Sequence, residues 1–228
     1  MNHISKELKS TARLAGIWYL LLAVSGVLGF LVFHSQVFNA DPQVTLTNLI
    51  EAEPTARIRL ILEFVIIISQ ALTAIWFYKL FRKISNTAAL ATAIWGTVNA
   101  VVIMISAISM ASAIAVASSE HAIEDKVILI ELLNQLISNS WAVGGLFFGL
   151  WLIPLGYIIS SSQRMPIWLG RILIIGGIGY IVSTLLNYTG VNASWLDFLT
   201  IPASIGEFWM IGYLLIFGIR PEPEENDL

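Results

Sequence analysis

The chain has 228 residues, of which 57% are hydrophobic and 12% charged, with a net charge of −3. Soluble domains run about 45–50% apolar and about 25% charged, so the composition points to a membrane protein, and the small net charge gives no footing for a nucleic-acid partner. The absence of cysteine excludes disulfides, thiolate chemistry, iron–sulfur clusters and covalently attached c-type haem. The apolar residues fall in long runs with short polar punctuation, without the period-two alternation of a membrane barrel. In hydrocarbon such runs must satisfy their own backbone hydrogen bonds, which makes them helices.

The first run covers residues 14–33 and follows Lys6, Lys9 and Arg13. A secretory signal has similar flanks. Here, however, the apolar stretch is as long as a full span, and Phe38-Asn39-Ala40 puts a bulky side chain where cleavage needs a small one. The expectation is a retained helix. In the polar stretch His34–Ala56, Val44–Glu51 is predicted as a short surface helix stopped by Pro42 and Pro54. The second span is 58–78, followed by the basic loop Lys79, Arg82 and Lys83. That loop can meet anionic lipid, although a positive cytoplasmic face already accounts for it. The third span, 88–117, is longer than needed and expected to tilt. The fourth run, 127–159, holds 33 residues, or about 50 Å of helix at the usual rise. It must project beyond the bilayer or break near Asn139–Gly145, with Pro154 as a possible kink. Pro166 opens the fifth span, 168–188. The sixth, 201–219, leads to Arg220 and an acidic tail, Glu222–Asp227, expected to be disordered. The predicted fold is all-α: one membrane domain over residues 1–228, a polytopic bundle of about six transmembrane helices.

Basic residues set the expected orientation. With the N-terminus inside, nine lie on the cytoplasmic side (Lys6, Lys9, Arg13, Lys79, Arg82, Lys83, Arg164, Arg171, Arg220) and three outside (Arg57, Arg59, Lys126). Aromatic residues suited to interfaces agree, with Trp18, Trp76, Tyr78, Tyr157 and Trp168 at the inner level and Tyr188 and Trp195 at the outer. The expectation is a multi-pass protein of the cell membrane, in the bacterial inner membrane, with both termini cytoplasmic. Membrane lipids are the expected surroundings, and the sequence names no protein partner.

Several motifs carry a family resemblance. Phe147-Phe148-Gly149-Leu150-Trp151 continues to Leu155-Gly156-Tyr157. Leu169-Gly170-Arg171 and Gly176-Gly177-Ile178-Gly179-Tyr180 follow, then Gly206-Glu207-Phe208-Trp209. Near the start stand Ala12-Arg13-Leu14-Ala15-Gly16 and Tyr19-Leu20. In order and spacing the chain resembles, from about Ala12 to Gly218, a bacterial six-span membrane family known as domain of unknown function 4386. The resemblance implies the six-span architecture and brings no activity, substrate or cofactor.

Three glutamates stand in or beside apolar runs: Glu63, Glu131 and Glu207, each near the start of a helix that enters from outside in the expected orientation. A carboxylate within hydrocarbon costs about 2.5–3.5 kcal/mol even on the lenient insertion scale. It therefore needs a partner or a wet cavity. Helical spacing puts Gln70 and Thr73 on the face of Glu63, and Asn134, Gln135 and Ser138 on the face of Glu131. Asn99, Ser106 and Ser109 line the third span, and Tyr180, Ser183, Thr184 and Asn187 the fifth. The expectation is an outward-facing acidic pocket whose ligand-binding residues are Glu63, Glu131, Glu207, Gln70, Asn134, Gln135, Asn99 and Asn187. It would take a small polar, cationic or lipid-headgroup ligand for binding or transport. One alternative is a membrane enzyme using the glutamates as acid, base or metal ligands. Another is a non-catalytic accessory protein, its polar stripes being interhelical hydrogen bonds and Glu63 pairing with Arg59 one turn earlier.

No cofactor is expected. A metal held by the glutamates with His34 or His121 lacks His-x-x-x-His or His-Glu-x-x-His spacing, and His3 lies on the opposite side from the other two, so no pair brackets a haem. No nucleophile elbow, phosphate loop or dinucleotide fingerprint occurs. Gly176, Gly177 and Gly179, the pair Gly145 and Gly149, and the stripe Ala107, Ala111, Ala115 are read as sites of close helix packing.

Overall fold

The computed structural model describes residues 2–191 and 193–220, with side chains from residue 6 onward. The acidic tail and the His3 side chain lie outside the described residues. Helix accounts for nearly all of the described chain, which contains no strand. The elements are α1 (Asn2–Val27), a π-helical segment Leu28–His34, the single turn α2 (Ser35–Val37), α3 (Pro42–Glu51), α4 (Glu53–Phe81), α5 (Asn86–Ala117), α6 (Ile123–Ser162), α7 (Ile167–Tyr188), a 3-10 stretch Ser194–Thr200 and α8 (Ile201–Ile216). Among the described residues six helical stretches are long and apolar enough to cross a membrane: Lys6–Val37, Glu53–Phe81, Asn86–Ala117, Ile123–Ser162, Ile167–Tyr188 and Ser194–Ile216. This is a polytopic all-α membrane protein.

Local chemistry explains several boundaries. The Asp41 side chain accepts from Gln43 N at 2.8 Å and Pro42 occupies the first turn, so Pro42 starts α3 rather than limiting it from outside. Pro54 likewise sits in the first turn of α4. α6 runs 40 residues without interruption, about 60 Å at the helical rise. Of the two outcomes open to this segment, the long helix is realised. Asn139–Gly145 does not break it, and Pro154 is carried inside it. Lys126 Nζ donates to the Ala117 carbonyl at 3.1 Å, placing a cation where the α5 C-terminus presents unpaired oxygens.

The chain divides into two compact units. The first comprises Met1–Leu20, Gln70–Val98 and Gly145–Leu228. Its helices approach closely through glycine. A Cβ added at Gly149 or Gly156 of α6 would come within 2.5 Å of the Gly177 or Gly170 carbonyl oxygen of α7, and one at Gly176 would strike the Ala203 backbone of α8. The Gly145 and Gly149 pair and the α7 glycine cluster thus pack as read from the sequence. Tyr19, Phe77 and Trp151 form a buried aromatic group with centroids 5.4–5.8 Å apart.

The second unit comprises Leu21–Ser69 and Asn99–Gly144. Its core gathers Val37, Phe38, Leu46, Leu49, Met110, Ala113, Ile130 and Ile137. The alanine stripe needs correction here: Ala107 is buried, but Ala111 and Ala115 are exposed. Steps of four residues drift round a helix of 3.6 residues per turn, and the face that packs follows the three-and-four pattern Ile103, Ala107, Met110, Ile114, Ala117.

Candidate functional site

The most polar part of the second unit's interior is built on Arg59 and Glu63, one turn apart on α4 and both fully buried. Arg59 Nη1 donates to Glu63 Oε2 at 2.7 Å. The other carboxylate oxygen, Oε1, accepts from Trp141 Nε1 of α6 at 2.9 Å, and Trp141 Nε1 also lies 3.2 Å from Ser106 Oγ of α5. The charge of Glu63 is therefore neutralised and both its oxygens are engaged. The site is an ion pair rather than an open acidic pocket.

Arg59 has further capacity. No protein group accepts from its Nε or Nη2. These two atoms form the side-on edge of the guanidinium, two parallel donors that match a pair of oxygens. The edge facing Glu63 is spent and the other is not. The π-helical segment Leu28–His34 packs against this group. Gly29 brings its backbone so close that a Cβ would lie 3.4 Å from Arg59 Nη1. Phe30 stands 4.8 Å from Arg59 Cζ and meets Trp141 edge-on at 4.4 Å. His34 stacks on Phe38 at 5.2 Å, and its Nδ1 is also buried without a protein partner. Hydrogen bonding in a π-helix skips one residue further than in an α-helix and widens the turn, a feature that concentrates at functional sites.

The remaining residues expected at the site are distributed as follows. Asn99, in the second unit, is fully buried with both amide atoms unpartnered, and a Cβ on Gly144 would approach its Oδ1 to 3.2 Å. Glu131 is exposed. Its carboxylate accepts a 3.5 Å hydrogen bond from Gln135 on the same helix and does not join Glu63. Gln135 and Ser138 are exposed as well, so the polar stripe of α6 is turned outward, contrary to expectation. The physical reason is which face of the helix packs: Ile130, Leu133 and Ile137 of the same turns enter the apolar core, which leaves Glu131, Gln135 and Ser138 on the opposite, outward face. Asn134 donates to the Asn39 carbonyl at 3.0 Å, which fastens the α2–α3 connection. In the first unit, Gln70 is fully buried with its amide unpartnered, Asn187 is exposed, and Glu207 accepts from Tyr19 Oη at 2.5 Å. Among the described residues no three histidine, aspartate or glutamate side chains converge as metal donors. His121 is exposed and pairs with Ser119 Oγ at 2.7 Å.

Sequence reasoning named Arg59 as the counter-charge of Glu63, weighed His34 only as a metal ligand, and missed Trp141, Gly29 and Phe30, and Tyr19 as the partner of Glu207. Trp141 carried one readable signal: it sits beside Asn139 and Ser140 on an otherwise apolar helix, where an indole N–H seeks a buried acceptor.

A family model described as "Domain of unknown function (DUF4386)" matches residues 14–218. The chain belongs to this family. The match spans the same stretch as the motif resemblance and includes Arg59, Glu63, Trp141 and Glu207. The chain is also similar to an uncharacterized protein of Archaeoglobus fulgidus, 32% identical over 69 residues, which cover 30% of this chain and 43% of that protein. The chain therefore matches less than half the length of that relative. No solved structure matches. Membership of the DUF4386 family brings no activity, the six apolar helices mark the chain as a membrane protein, and the polar site must be read from its own chemistry.

Proposed function

We propose that this protein binds a small carboxylic acid inside the membrane, at Arg59. One observation carries the reading: a fully buried arginine keeps its Nε/Nη2 edge without any protein acceptor. A buried donor left unmatched costs about 1–3 kcal/mol, more for a charged group. A carboxyl group matches this edge atom for atom. Arg59 and Glu63 already cancel, so the ligand enters together with a proton. This replaces the cationic ligand suggested by the glutamates alone, because the carboxylate best placed to hold a cation is already paired.

The orientation belongs to the same proposal. Nine basic residues against three favour cytoplasmic termini, and the two connections of the second unit, 38–41 and 118–122, then face outward. Single cysteines introduced at Ser119 and Ser85 test this against a cysteine-free background. A membrane-impermeant thiol reagent should label the first and spare the second in intact cells, and the opposite pattern overturns it.

Binding is tested by thermal unfolding of the purified protein in detergent with acetate, propionate and benzoate, against chloride and methylammonium. A carboxylate at a hundred times its Kd should stabilise by about 2.7 kcal/mol. Arg59→Lys keeps the charge but lacks the fork and should abolish the response. If no carboxylate raises the Tm, or Arg59→Lys responds like the wild type, the site holds water alone and the reading fails.

A further inference from the structure

The first unit contains a second charged feature, unrelated to Arg59. Glu7, Leu8 and Thr11 of α1, Lys79 and Leu80 of α4, Arg82 and Lys83 of the following loop, and Arg164 of the α6–α7 connection line one cavity of about 230 Å³. Four cations share it with one carboxylate. Like charges gathered around a hollow repel and raise its affinity for an anion. The arrangement is held in place: Arg164 Nε donates to the Arg220 carbonyl at 2.8 Å, and Arg220 N returns a bond to the Arg164 carbonyl at 3.1 Å. Gln163, with φ of 54°, turns the chain sharply just before it. Lys79 Nζ lies 4.7 Å from the Trp76 ring and Arg82 Cζ 6.0 Å from that of Tyr78.

We propose that this cavity holds the phosphate of an anionic phospholipid headgroup. A positive cytoplasmic face requires basic residues near the ends of spans. It does not require those of two segments far apart in sequence, Lys79–Lys83 and Arg164, to converge on one hollow. Lipid is favoured over soluble phosphate by the apolar lining from Leu8 and Leu80 and by the place of Lys79 at the end of a span beside Trp76 and Tyr78. Aromatic residues of this kind settle at headgroup level, where a lipid presents its phosphate with its chains alongside the helices.

The test uses the full chain in detergent, with phosphatidylglycerol, phosphatidylcholine and inorganic phosphate as probes and lipid retention read by native mass spectrometry. Phosphatidylglycerol should be retained, phosphatidylcholine should stay at background, and inorganic phosphate at the same concentration should not compete. Each exposed cation contributes about 1 kcal/mol near an anionic surface, or about fivefold in affinity, so Lys83→Gln and Arg82→Gln should each weaken retention about fivefold. Arg171→Gln removes the same charge from an exposed position on α7 outside the cavity and should leave retention unchanged. Equal loss in Arg171→Gln would reduce the effect to diffuse surface charge and overturn the site. Equal retention of phosphatidylcholine, or displacement by inorganic phosphate, would overturn the lipid assignment.

Discussion

Glu63 of the second unit and Glu207 of the first meet the same difficulty in different ways. Both are carboxyl groups on membrane helices, where a bare charge is expensive. Glu63 is answered by a charge, Arg59 at 2.7 Å, with an indole N–H on its other oxygen. Glu207 is answered by a phenol, Tyr19, from the opposite end of the chain. A carboxyl group held by an arginine through one nitrogen leaves the arginine its other edge. One held by a phenol hydroxyl receives a single neutral donor on one oxygen and no counter-charge from it. Two acidic residues of similar sequence setting thus become a buried ion pair in one unit and a tyrosine-bound carboxyl in the other.

The sharpest way to break this comparison is to remove one member of the ion pair. Glu63→Gln leaves a buried guanidinium without its counter-charge, a loss of about 3–5 kcal/mol. Unfolding in detergent with increasing denaturant should show it. The double variant Arg59→Met/Glu63→Leu removes both charges and should recover most of the loss, since an apolar replacement of a buried pair is often neutral. A single variant as stable as the wild type would mean that the pair is hydrated and not truly internal.

The next effect belongs to the first unit, whose solution is steric. Gly156→Leu drives a side chain into the Gly170 carbonyl and Ile174, an overpacking cost of about 1–3 kcal/mol or more. Gly26→Ala meets nothing within 4 Å and should stabilise by up to about 1 kcal/mol through helix propensity. Equal Tm values for the two would show that the glycines of α6 and α7 do not set how closely those helices approach. Tyr19→Phe, which removes the hydroxyl donor of Glu207, should fall below the Gly156→Leu effect, at the lower end of about 1–3 kcal/mol. Combining it with Glu207→Leu should cost less than adding the two single effects. Strict additivity would show that the hydroxyl and the carboxyl do not interact.

These cases also show what a sequence can and cannot disclose. The six spans were legible because lipid imposes a rule on every residue of a helix, and long apolar runs obey it visibly. Arg59 was legible as the partner of Glu63 because helical neighbours four apart touch whatever the tertiary fold. Tyr19 was not legible as the partner of Glu207, since 188 residues separate them and only the packing of α1 beside α8 joins them. Glu131 misled for a related reason. It shares its apolar flanks with the other two glutamates, but which face of its helix packs inward is set by Ile130 and Ile137, which take the core side and leave Glu131 outside. The alanine stripe failed by geometry alone, its steps of four drifting out of the packed face.

The smallest predicted effect gives the cleanest control, because it keeps the chemistry and changes only the burial. Glu53 and Arg57 stand four apart on the same helix as Arg59 and Glu63, with Arg57 Nη2 2.6 Å from Glu53 Oε1. Their order, acid before base, is the one that an isolated helix favours. By distance and spacing they are the better pair. Yet the Arg57 and Glu53 side chains are 61% and 40% exposed, against 0% for both members of the inner pair. Water already solvates both charges, and holding two long side chains together costs entropy, so Arg57→Ala should change stability by about 0–1 kcal/mol. Raising the salt concentration should erase even that, while leaving the penalty of Glu63→Gln largely intact because a buried pair is poorly screened. If Arg57→Ala proved as costly as Glu63→Gln, or if both penalties faded together with salt, burial would not be what distinguishes the two pairs, and Arg59 would lose its claim to an unusual unmatched edge.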